Sequence, residues 1–183
     1  MVLRLVGSEM CIRDSKYNIA DKLVLNKFRA ALGGKVRACS SGGSALSKEV
    51  GSFFCGIGIS IIEGYGLTET SPVMTIGHPD LFKFGTVGKA IPGVEVKIQP
   101  DGEIVCRGHN VMMGYYKNEE ATNEAIIDGW FHSGDIGEFD EDGLLRITDR
   151  KKSLIVTSGG KNVAPQPMEV SLTSNKYIEQ CNI

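Results

Sequence analysis

The chain has 183 residues, of which 42% are hydrophobic, 20 are basic and 22 are acidic. This length suits one ordinary domain or parts of two, and the apolar content is sufficient for a buried core. No uncharged apolar run approaches the roughly 18 residues of a membrane helix, and no basic block marks a nucleic-acid surface. The composition favours small-molecule partners over nucleic acid, does not indicate membrane association and leaves the oligomeric state open.

The cysteines and the N-terminal segment bear on the cellular compartment. Five cysteines are an odd number and include no C-x-x-C pair, which argues against a disulfide framework or a zinc site and favours the reducing cytoplasm. Residues 1–15 lack the apolar region and cleavage site of a signal peptide. They resemble translated sequencing-adaptor sequence, so we expect a non-native segment, with an ordinary frayed terminus as the alternative.

The first part of the chain predicts a helix, a strand, a second helix and a second strand. Apolar residues recur at helical spacing from Asp21 to Leu32, and the two glycines that follow predict the helix end. "KVRACS" alternates like a strand, and Ser47 is a suitable cap for a helix ending at Gly56 or Gly58. "ISII" is typical of a short strand buried on both faces. Because ligands of α/β sheets collect beyond strand carboxyl ends, we expect a site just past this strand.

The second part of the chain predicts mainly hairpins. "VEVKIQ" and "EIVCRG", joined by "PDG", indicate a β-hairpin, and "NEEATNEAI" indicates a short helix capped by Asn118. "GDIGEFDEDGLLRITDR" predicts a strand pair with a turn at Asp140 to Gly143. Thereafter "SLIVTSGGKNV" predicts a strand and a glycine loop, "PMEVSLTS" a helix that starts with proline, and "YIEQCNI" a strand. The order of elements indicates an α/β fold followed by a second domain or subdomain.

"EGYGLTET", which follows "ISII", brings an aromatic ring, a hydroxyl and a carboxylate together. Tyr65 lies between two glycines, so a flat heterocycle could stack on its ring. Thr68 can donate to a phosphate oxygen, and Glu69 is a hard carboxylate of the kind that Mg²⁺ accepts. Each residue by itself is more often structural, as a core aromatic or part of a helix cap. The combination predicts a site for a nucleotide and its metal.

Two later positions suit a ribose. We expect Asp135 between glycines at the mouth of a strand and Arg150 at the end of the next strand. A carboxylate can accept from both hydroxyls of a ribose, and a guanidinium can reach the same diol or a phosphate. Either residue by itself would be better interpreted as a turn aspartate or a solvated basic residue. The glycine-containing turn "SSGGSALS" could present backbone groups to the same ligand.

Two other patterns are weaker. "DEDG" at 140–143 resembles the start of a calcium loop but lacks the later ligand positions, so a turn is favoured. His132, Ser133 and Asp135 are the residue types of a hydrolytic triad, but they are neighbours in sequence and the chain has no G-x-S-x-G elbow. Hydrolase chemistry is therefore disfavoured.

An ordered set of motifs resembles the adenylate-forming, or AMP-binding, superfamily and, within it, the long-chain fatty-acid CoA ligases. The match runs nearly continuously from about residue 16 to 183 and passes through "SGGSALS", "EGYGLTETSPV", "GTVGKAIPGVEVKI", "GEIVCRGHNVMMGYYKN", "DGWFHSGDIGEFDEDGLLRITDRKK" and "SGGKNVAPQPMEV". The resemblance implies that residues 16–150 end a large α/β domain with a β-hairpin-rich subdomain. Residues 151–183 would then begin a small α+β domain.

The resemblance also implies an activity. A member of this family would use ATP to convert a long-chain fatty acid to an acyl-adenylate and then, with coenzyme A, to an acyl-CoA, releasing AMP. ATP, Mg²⁺ and coenzyme A are the implied cofactors and co-substrates. The alternatives are a ligase for another carboxylic acid and a non-catalytic nucleotide-binding module.

Matching positions receive roles from the resemblance. The implied nucleotide-binding residues are Gly43, Ser44, Ala45, Tyr65, Gly66, Thr68, Asp135 and Arg150. The first three would line the adenine and ribose, Tyr65 would stack on the adenine, and Thr68 would hold the α-phosphate. Asp135 and Arg150 would hold the ribose hydroxyls, and Glu69 would bind Mg²⁺.

The resemblance places an interdomain hinge at Lys152 and a loop at Gly159 and Gly160 that would approach coenzyme A after rotation. Ala45 replaces a usual proline and Ser153 a usual aspartate, and neither change removes a ligand. The family's upstream phosphate loop and downstream catalytic lysine have no counterpart in the matched segment. We therefore expect these 183 residues to be a fragment with negligible adenylation activity by itself.

Overall fold

A computed structural model describes residues 17–78, 83–153, 155–156, 162–163, 165–173, 175 and 177–181. The predictions for residues 1–15 and for the glycines at 159–160 lie outside these ranges. The chain divides into two compact units. Within the described residues, unit 1 consists of 17–40 and Ser47–Ile61, and unit 2 consists of Ser41–Leu46 and the residues from Ile62 onward. Helices and strands occur together, which confirms the predicted α/β class.

Unit 1 is mainly helical. Its elements are helical residues 17–20, a π-helical turn Asp21–Leu25, α1 (Asn26–Ala31), β1 (Ala38–Ser41), whose last residue belongs to unit 2, and α2 (Lys48–Gly56). The helix predicted after Asp21 is confirmed, and it begins earlier, by residue 17. Gly33 and Gly34, both with positive φ, donate their N–H groups to Ala30 O and Arg29 O over 2.9 and 2.7 Å. The two glycines therefore end the helix as predicted.

The predicted cap of α2 is confirmed. The Ser47 hydroxyl accepts from the Val50 N–H over 3.2 Å, and the helix ends at Gly56. The apolar side chains of α2 and of Ile57, which follows it, are only partly buried. Ile57 is buried, whereas Val50 and Phe53 are exposed.

Strand β2 (Ser60–Tyr65) begins in unit 1, where β1 is its neighbour in strand order, and continues into unit 2. The strand predicted at "ISII" is confirmed, but two details were wrong. The strand extends to Tyr65, so the "EGYGLTET" motif begins inside the strand and not past its end. Burial alternates, with Ile61 and Glu63 buried and Ile62 only partly covered, because successive side chains point to opposite faces.

Unit 2 contains the remaining strands. They are β3 (Thr75–Ile76), β4 (Lys89–Ala90), β5 (Val94–Ile98), β6 (Glu103–Gly108), β7 (Ile126–Ile127), β8 (Trp130–Phe139), β9 (Leu145–Arg150), β10 (Ile155–Val156) and β11 (Asn162–Val163). Strand β2 pairs antiparallel with β3, and β3 pairs antiparallel with β4. The main sheet has the order β5-β6-β8-β7, and β9 also pairs with β8.

The predicted hairpins are confirmed. Strands β5 and β6 pair antiparallel, and the Gly102 N–H donates to Gln99 O across the "PDG" turn over 2.8 Å. Strands β8 and β9 are joined by the turn at 140–143, where the Gly143 N–H donates to Asp140 O over 2.9 Å. Asn118 Oδ1 accepts from the Ala121 N–H at the start of α3 (Glu119–Ala125), as expected for its cap.

One expectation for β8 was wrong. Asp135 lies in the middle of a ten-residue strand and not at the mouth of one. Between the strand pairs Val105↔His132 and Glu103↔Ile136, one residue of β6 lies opposite three residues of β8. This β-bulge breaks the alternation around Asp135. Arg150 does end β9, as predicted, and it is the register partner of Asp135.

The core of unit 2 combines residues of the main sheet with Met74, which directly precedes β3. Met74, Val94, Cys106 and Phe131 form a buried cluster against which Tyr65 packs. The apolar residues of β5 and β6 thus hold the base of the "EGYGLTET" segment. Such burial is the dominant stabilising contribution in a domain of this kind.

The final part of the chain differs from two predictions. Helix α4 (Pro165–Thr173) begins at Pro165, two residues earlier than expected. The described residues of "YIEQCNI", 177–181, do not form a strand. Within the described ranges, no helix has the length and apolar character needed to cross a membrane.

Candidate nucleotide-binding site

Unit 2 contains a cavity of about 340 Å³, a volume typical of small-molecule sites. Its wall consists of Ser41, Gly43, Ser44, Ala45, Leu46, Glu63, Gly64, Tyr65, Gly66, Leu67, Gly85, Val87, Asp135, Ile147, Thr148 and Arg150. Four separate parts of the chain contribute: the loop after β1, the end of β2, the segment before β4, and strands β8 and β9. The wall mixes aliphatic side chains with open backbone and a few charged groups.

The structure brings most of the predicted site residues together. Seven of them line the cavity: Gly43, Ser44, Ala45, Tyr65, Gly66, Asp135 and Arg150. Thr68, Glu69 and Lys152 do not line it. Lys152 lies instead in an exposed 3₁₀ turn, Lys151–Ser153, directly after β9.

Tyr65, Asp135 and Arg150 form a connected polar group on the cavity wall. The Tyr65 hydroxyl donates to Asp135 Oδ2 over 2.7 Å. Arg150 Nε lies 3.5 Å from Asp135 Oδ1, and the arginine side chain is largely exposed. Burial, together with the adjacent Asp135 carboxylate, raises the pKa of Tyr65, so the hydroxyl stays protonated as a donor. These contacts orient the Asp135 carboxylate and leave part of its hydrogen-bonding capacity for a ligand.

Gly66 is required by a close backbone approach. A Cβ atom at this position would lie 1.8 Å from Pro72 O, so no other residue fits without movement of the chain. Gly43 has a positive φ of 84° and nothing within 4 Å of the place a Cβ would occupy. Gly66 therefore allows close packing of two backbone segments. Gly43 allows a turn with positive φ and leaves the cavity open.

Thr68 and Glu69 occupy a 3₁₀ turn, Thr68–Thr70, next to the cavity residue Leu67. The Thr68 side chain is exposed and Glu69 is half-buried. Glu69 is held at two points: its Oε1 accepts from the Tyr115 hydroxyl and its carbonyl accepts from the Met112 N–H, each over 2.8 Å. The hydrogen bond to Glu69 raises the pKa of Tyr115.

The sequence interpretation missed Glu63, which lies on the cavity wall two residues before Tyr65. Its side chain is buried, and within the described part of the chain its Oε1 has no hydrogen-bond partner. Its Oε2 accepts a long hydrogen bond of 3.4 Å from the Leu46 N–H. Burial raises the pKa of Glu63, and the backbone N–H groups of Leu46 and Gly85 oppose that shift. A glutamate within an apolar strand was the signal that could have identified it.

The hydrolytic interpretation gains no support from geometry. The Ser133 hydroxyl donates to Ile104 O over 2.7 Å and accepts from the Asp135 N–H. His132 Nδ1 lies 3.0 Å from Glu103 Oε2. Both side chains are therefore engaged with strand β6 and with the bulge of β8.

The comparisons with known proteins identify the family of the chain. The sequence profile of the family described as "AMP-binding enzyme" matches residues 9–116. This match covers more than half of the chain, and the chain therefore belongs to the AMP-binding enzyme family. The family resemblance predicted from the motifs is confirmed.

Curated relatives carry fatty-acid ligase names. The chain is 51% identical over 166 residues to the long-chain-fatty-acid–CoA ligase FadD15 of Mycobacterium tuberculosis, covering 91% of this chain and 28% of the relative. It is 45% identical over 161 residues to the long-chain-fatty-acid–CoA ligase ACSBG2 of Xenopus laevis, covering 84% and 22%. The chain thus spans about a quarter of the length of these relatives.

Solved structures of the family superimpose on most of the chain. O-succinylbenzoate coenzyme A synthetase (MenE) of Bacillus subtilis in complex with AMP matches with a TM-score of 0.73 and 30% identity, over 79% of this chain and 32% of that one. The same enzyme in complex with ATP and magnesium ion matches with a TM-score of 0.72 and 30% identity, over 82% and 35%. These matches agree with the mixed α/β class.

Proposed function

We propose that this chain supplies the nucleotide-binding wall of an AMP-forming long-chain fatty-acid CoA ligase. The observation that carries the proposal is the cavity of unit 2. On its wall, Asp135 accepts a hydrogen bond from Tyr65 and forms an ion pair with Arg150. Relatives with 45–51% identity are named long-chain-fatty-acid–CoA ligases, which supports this substrate class. Residues 16–150 would belong to the large domain and 151–183 to the small one.

The cavity suits an adenosine monophosphate moiety. An adenine could rest against the Tyr65 ring, and its exocyclic amine could donate to Glu63 Oε1, which otherwise lacks a partner among the described groups. Backbone groups and open space around the base and ribose would be provided by Gly43, Ser44, Ala45 and Gly66. Asp135 could accept from the ribose hydroxyls, and the exposed Arg150 could reach the diol or a phosphate.

The phosphate end would extend toward the 3₁₀ turn. Thr68 presents an exposed hydroxyl, and the Glu69 carboxylate is oriented by Tyr115. Within the described ranges no cluster of three or more His, Cys, Asp or Glu residues could hold a metal. One carboxylate beside a phosphate site nevertheless fits Mg²⁺, which is commonly bound through one or two carboxylates, substrate phosphates and water. Bound there, Mg²⁺ would neutralise charge on the phosphate oxygens.

The proposed reaction has two steps. A carboxylate oxygen of the fatty acid attacks the α-phosphorus of ATP, and the bond to pyrophosphate breaks to give an acyl-adenylate. The thiol sulfur of coenzyme A then attacks the acyl carbon, loses its proton and displaces AMP. The role of Asp135, Arg150 and Thr68 is to hold the nucleotide in line, since positioning and charge neutralisation dominate phosphoryl and nucleotidyl transfer.

Lys152 is proposed as the hinge between the two steps. It lies in the exposed turn that directly follows β9, one of the strands on the cavity wall. Rotation at this position would move the chain after residue 152 while leaving Arg150 in its sheet. The loop at Gly159 and Gly160 would then approach coenzyme A, as the family resemblance implies.

Titration calorimetry of the 183-residue chain with AMP tests the nucleotide site. Wild type is expected to bind, and Asp135→Ala is expected to weaken binding by about 30-fold or more, because a charged acceptor to two hydroxyls is lost. Asp142→Ala is the matched control. Asp142 also forms an ion pair, with Lys83 over 3.2 Å, but lies on the turn outside the cavity. Equal losses in both variants, or no AMP binding by wild type, would contradict the proposed site.

A second assay tests which carboxylic acid is the substrate. Pyrophosphate exchange by the full gene product should depend on a long-chain fatty acid such as palmitate and should exceed exchange with O-succinylbenzoate. The reverse preference would favour a ligase for another carboxylic acid. AMP binding without exchange on any acid would favour the non-catalytic module.

A further inference from the structure

Glu103 is a buried carboxylate outside the cavity, at the start of β6. Its Oε1 accepts from the Gly134 N–H over 3.0 Å. Its Oε2 lies 3.0 Å from His132 Nδ1 and 2.9 Å from Lys151 Nζ. One side chain therefore joins two residues of β8 to the first residue of the turn after β9.

The contact with Gly134 lies inside the bulge of β8. There Ser133, Gly134 and Asp135 together oppose Ile104 of β6. The loss of regular ladder hydrogen bonds leaves backbone groups that need other partners, and Gly134 has a positive φ of 73°. The Glu103 carboxylate satisfies one of these groups. It thereby supports the backbone that aims Asp135 at the cavity.

The contact with Lys151 lies at the proposed hinge. Lys151 Nζ is held between two carboxylates, 2.7 Å from Asp101 Oδ2 and 2.9 Å from Glu103 Oε2. Asp101 belongs to the β5–β6 turn, and its Oδ1 accepts from the Glu103 N–H over 3.2 Å. The turn Lys151–Ser153 is thus tied to the same end of β6 that supports the bulge.

We propose that Glu103 is a positioning residue that couples the attachment of the Lys151–Ser153 turn to the orientation of Asp135. With Lys151 attached, Glu103 has an ammonium partner and holds the bulge. When the turn moves, the buried carboxylate loses its ammonium partner, and its hold on Gly134 changes. The inference rests on the proposed function, because it takes Asp135 as a ribose ligand and Lys152 as the hinge.

The coupling follows from shared atoms. Lys151 and His132 share one carboxylate oxygen, and Gly134 uses the other oxygen of the same group. Burial alone would raise the pKa of Glu103, but hydrogen bonds from His132, Lys151 and the Gly134 backbone outweigh it and lower the pKa. The ionised form is therefore the one that holds both partners. Removing a charge from one oxygen changes the acceptor strength of the other.

The test is a variant of the exposed partner. Lys151→Met removes the ammonium from a side chain that is 47% exposed, so the fold should be retained. We expect amide hydrogen exchange at Gly134 and Asp135, followed by NMR on the full chain, to accelerate by about fivefold. AMP binding should weaken by about threefold. Lys83→Met is the matched control, since Lys83 is 39% exposed and also pairs with two carboxylates, on Asp140 and Asp142.

The outcomes separate this inference from the proposed function. Faster exchange confined to residues 151–153, with Gly134 and Asp135 unchanged, overturns it and leaves Lys151 as an ordinary surface ion pair. Faster exchange at Gly134 and Asp135 in the Lys83→Met control overturns it equally. Failure of wild type to bind AMP contradicts the proposed function instead. The amide hydrogen exchange data still test the coupling between the Lys151–Ser153 turn and Asp135 in that case. Glu103→Gln should accelerate exchange in the same amides at least as much as Lys151→Met.

Discussion

Two glutamates of unit 2 have nearly the same burial and opposite surroundings. Glu63 is 6% exposed and Glu103 is 5% exposed. Glu63, on the cavity wall, accepts a long hydrogen bond from Leu46, its Oε1 has no partner among the described residues, and burial raises its pKa. Glu103 faces three donors, and its pKa is lowered.

The difference distinguishes a ligand-facing carboxylate from a structural one. A buried charge without partners costs stability, and such a cost persists where function requires the group. A buried charge with several donors can stabilise the elements that supply them. Glu63 is therefore the carboxylate that we propose to face a ligand in the cavity, whereas Glu103 holds together strands and turns around it. Three measurements test this contrast.

The largest effect is expected from Glu103→Gln. Glutamine has no charge and one acceptor oxygen, so at least one of the donors around position 103 loses its acceptor, and the free energy of unfolding should fall by about 2 kcal/mol. Chemical denaturation at neutral pH measures this change. Glu95→Gln is the control, because Glu95 pairs with Arg107 over 2.7 Å but both side chains are exposed. An equal loss of unfolding free energy in the control would contradict a stabilising role specific to Glu103.

Glu63→Gln should change the free energy of unfolding by a smaller amount and in the opposite direction. Replacing a poorly solvated carboxylate by a neutral amide of the same shape should raise the free energy of unfolding of the ligand-free protein by up to about 1 kcal/mol. Thermal denaturation without nucleotide is the measurement. A destabilised variant would show that Glu63 already has favourable partners and that the contrast with Glu103 is wrong.

The smallest effect is the pH dependence of these differences. The ordinary pKa of both glutamates is 4.5. Because the pKa of Glu103 is lowered in the folded state, its stabilisation is present above 4.5 and is lost as the pH falls through the folded value. Because the pKa of Glu63 is raised, its relative stabilisation is present below 4.5 and is lost as the pH rises through the folded value.

Unfolding of wild type and the two Gln variants across this pH range measures both slopes. The difference between wild type and Glu103→Gln should grow as the pH rises toward 4.5. Wild type should lose stability relative to Glu63→Gln as the pH rises above 4.5. Slopes of the same sign would contradict the contrast.

Local patterns predicted much of the fold. The Ser47 and Asn118 caps, the glycines that end the first helix, and the "PDG" turn are confirmed because each depends on a few neighbouring residues. Strand ends were less predictable. β2 continues through Tyr65 because pairing with β3 extends it, and that pairing forms only when the intervening segment folds back. The bulge that places Asp135 in mid-strand likewise arises from its pairing with β6.

The sequence by itself determined the family and most residues of the proposed site, because their chemical types and order form a specific motif set. Only the tertiary structure decided how those residues are paired. It showed the hydrogen bond from the Tyr65 hydroxyl to Asp135, the Glu63 oxygen that has no partner in the described part of the chain, and the three donors around Glu103. The physical reason is that a carboxylate's properties depend on groups brought within about 3 Å by folding, and these groups come from separate strands and turns.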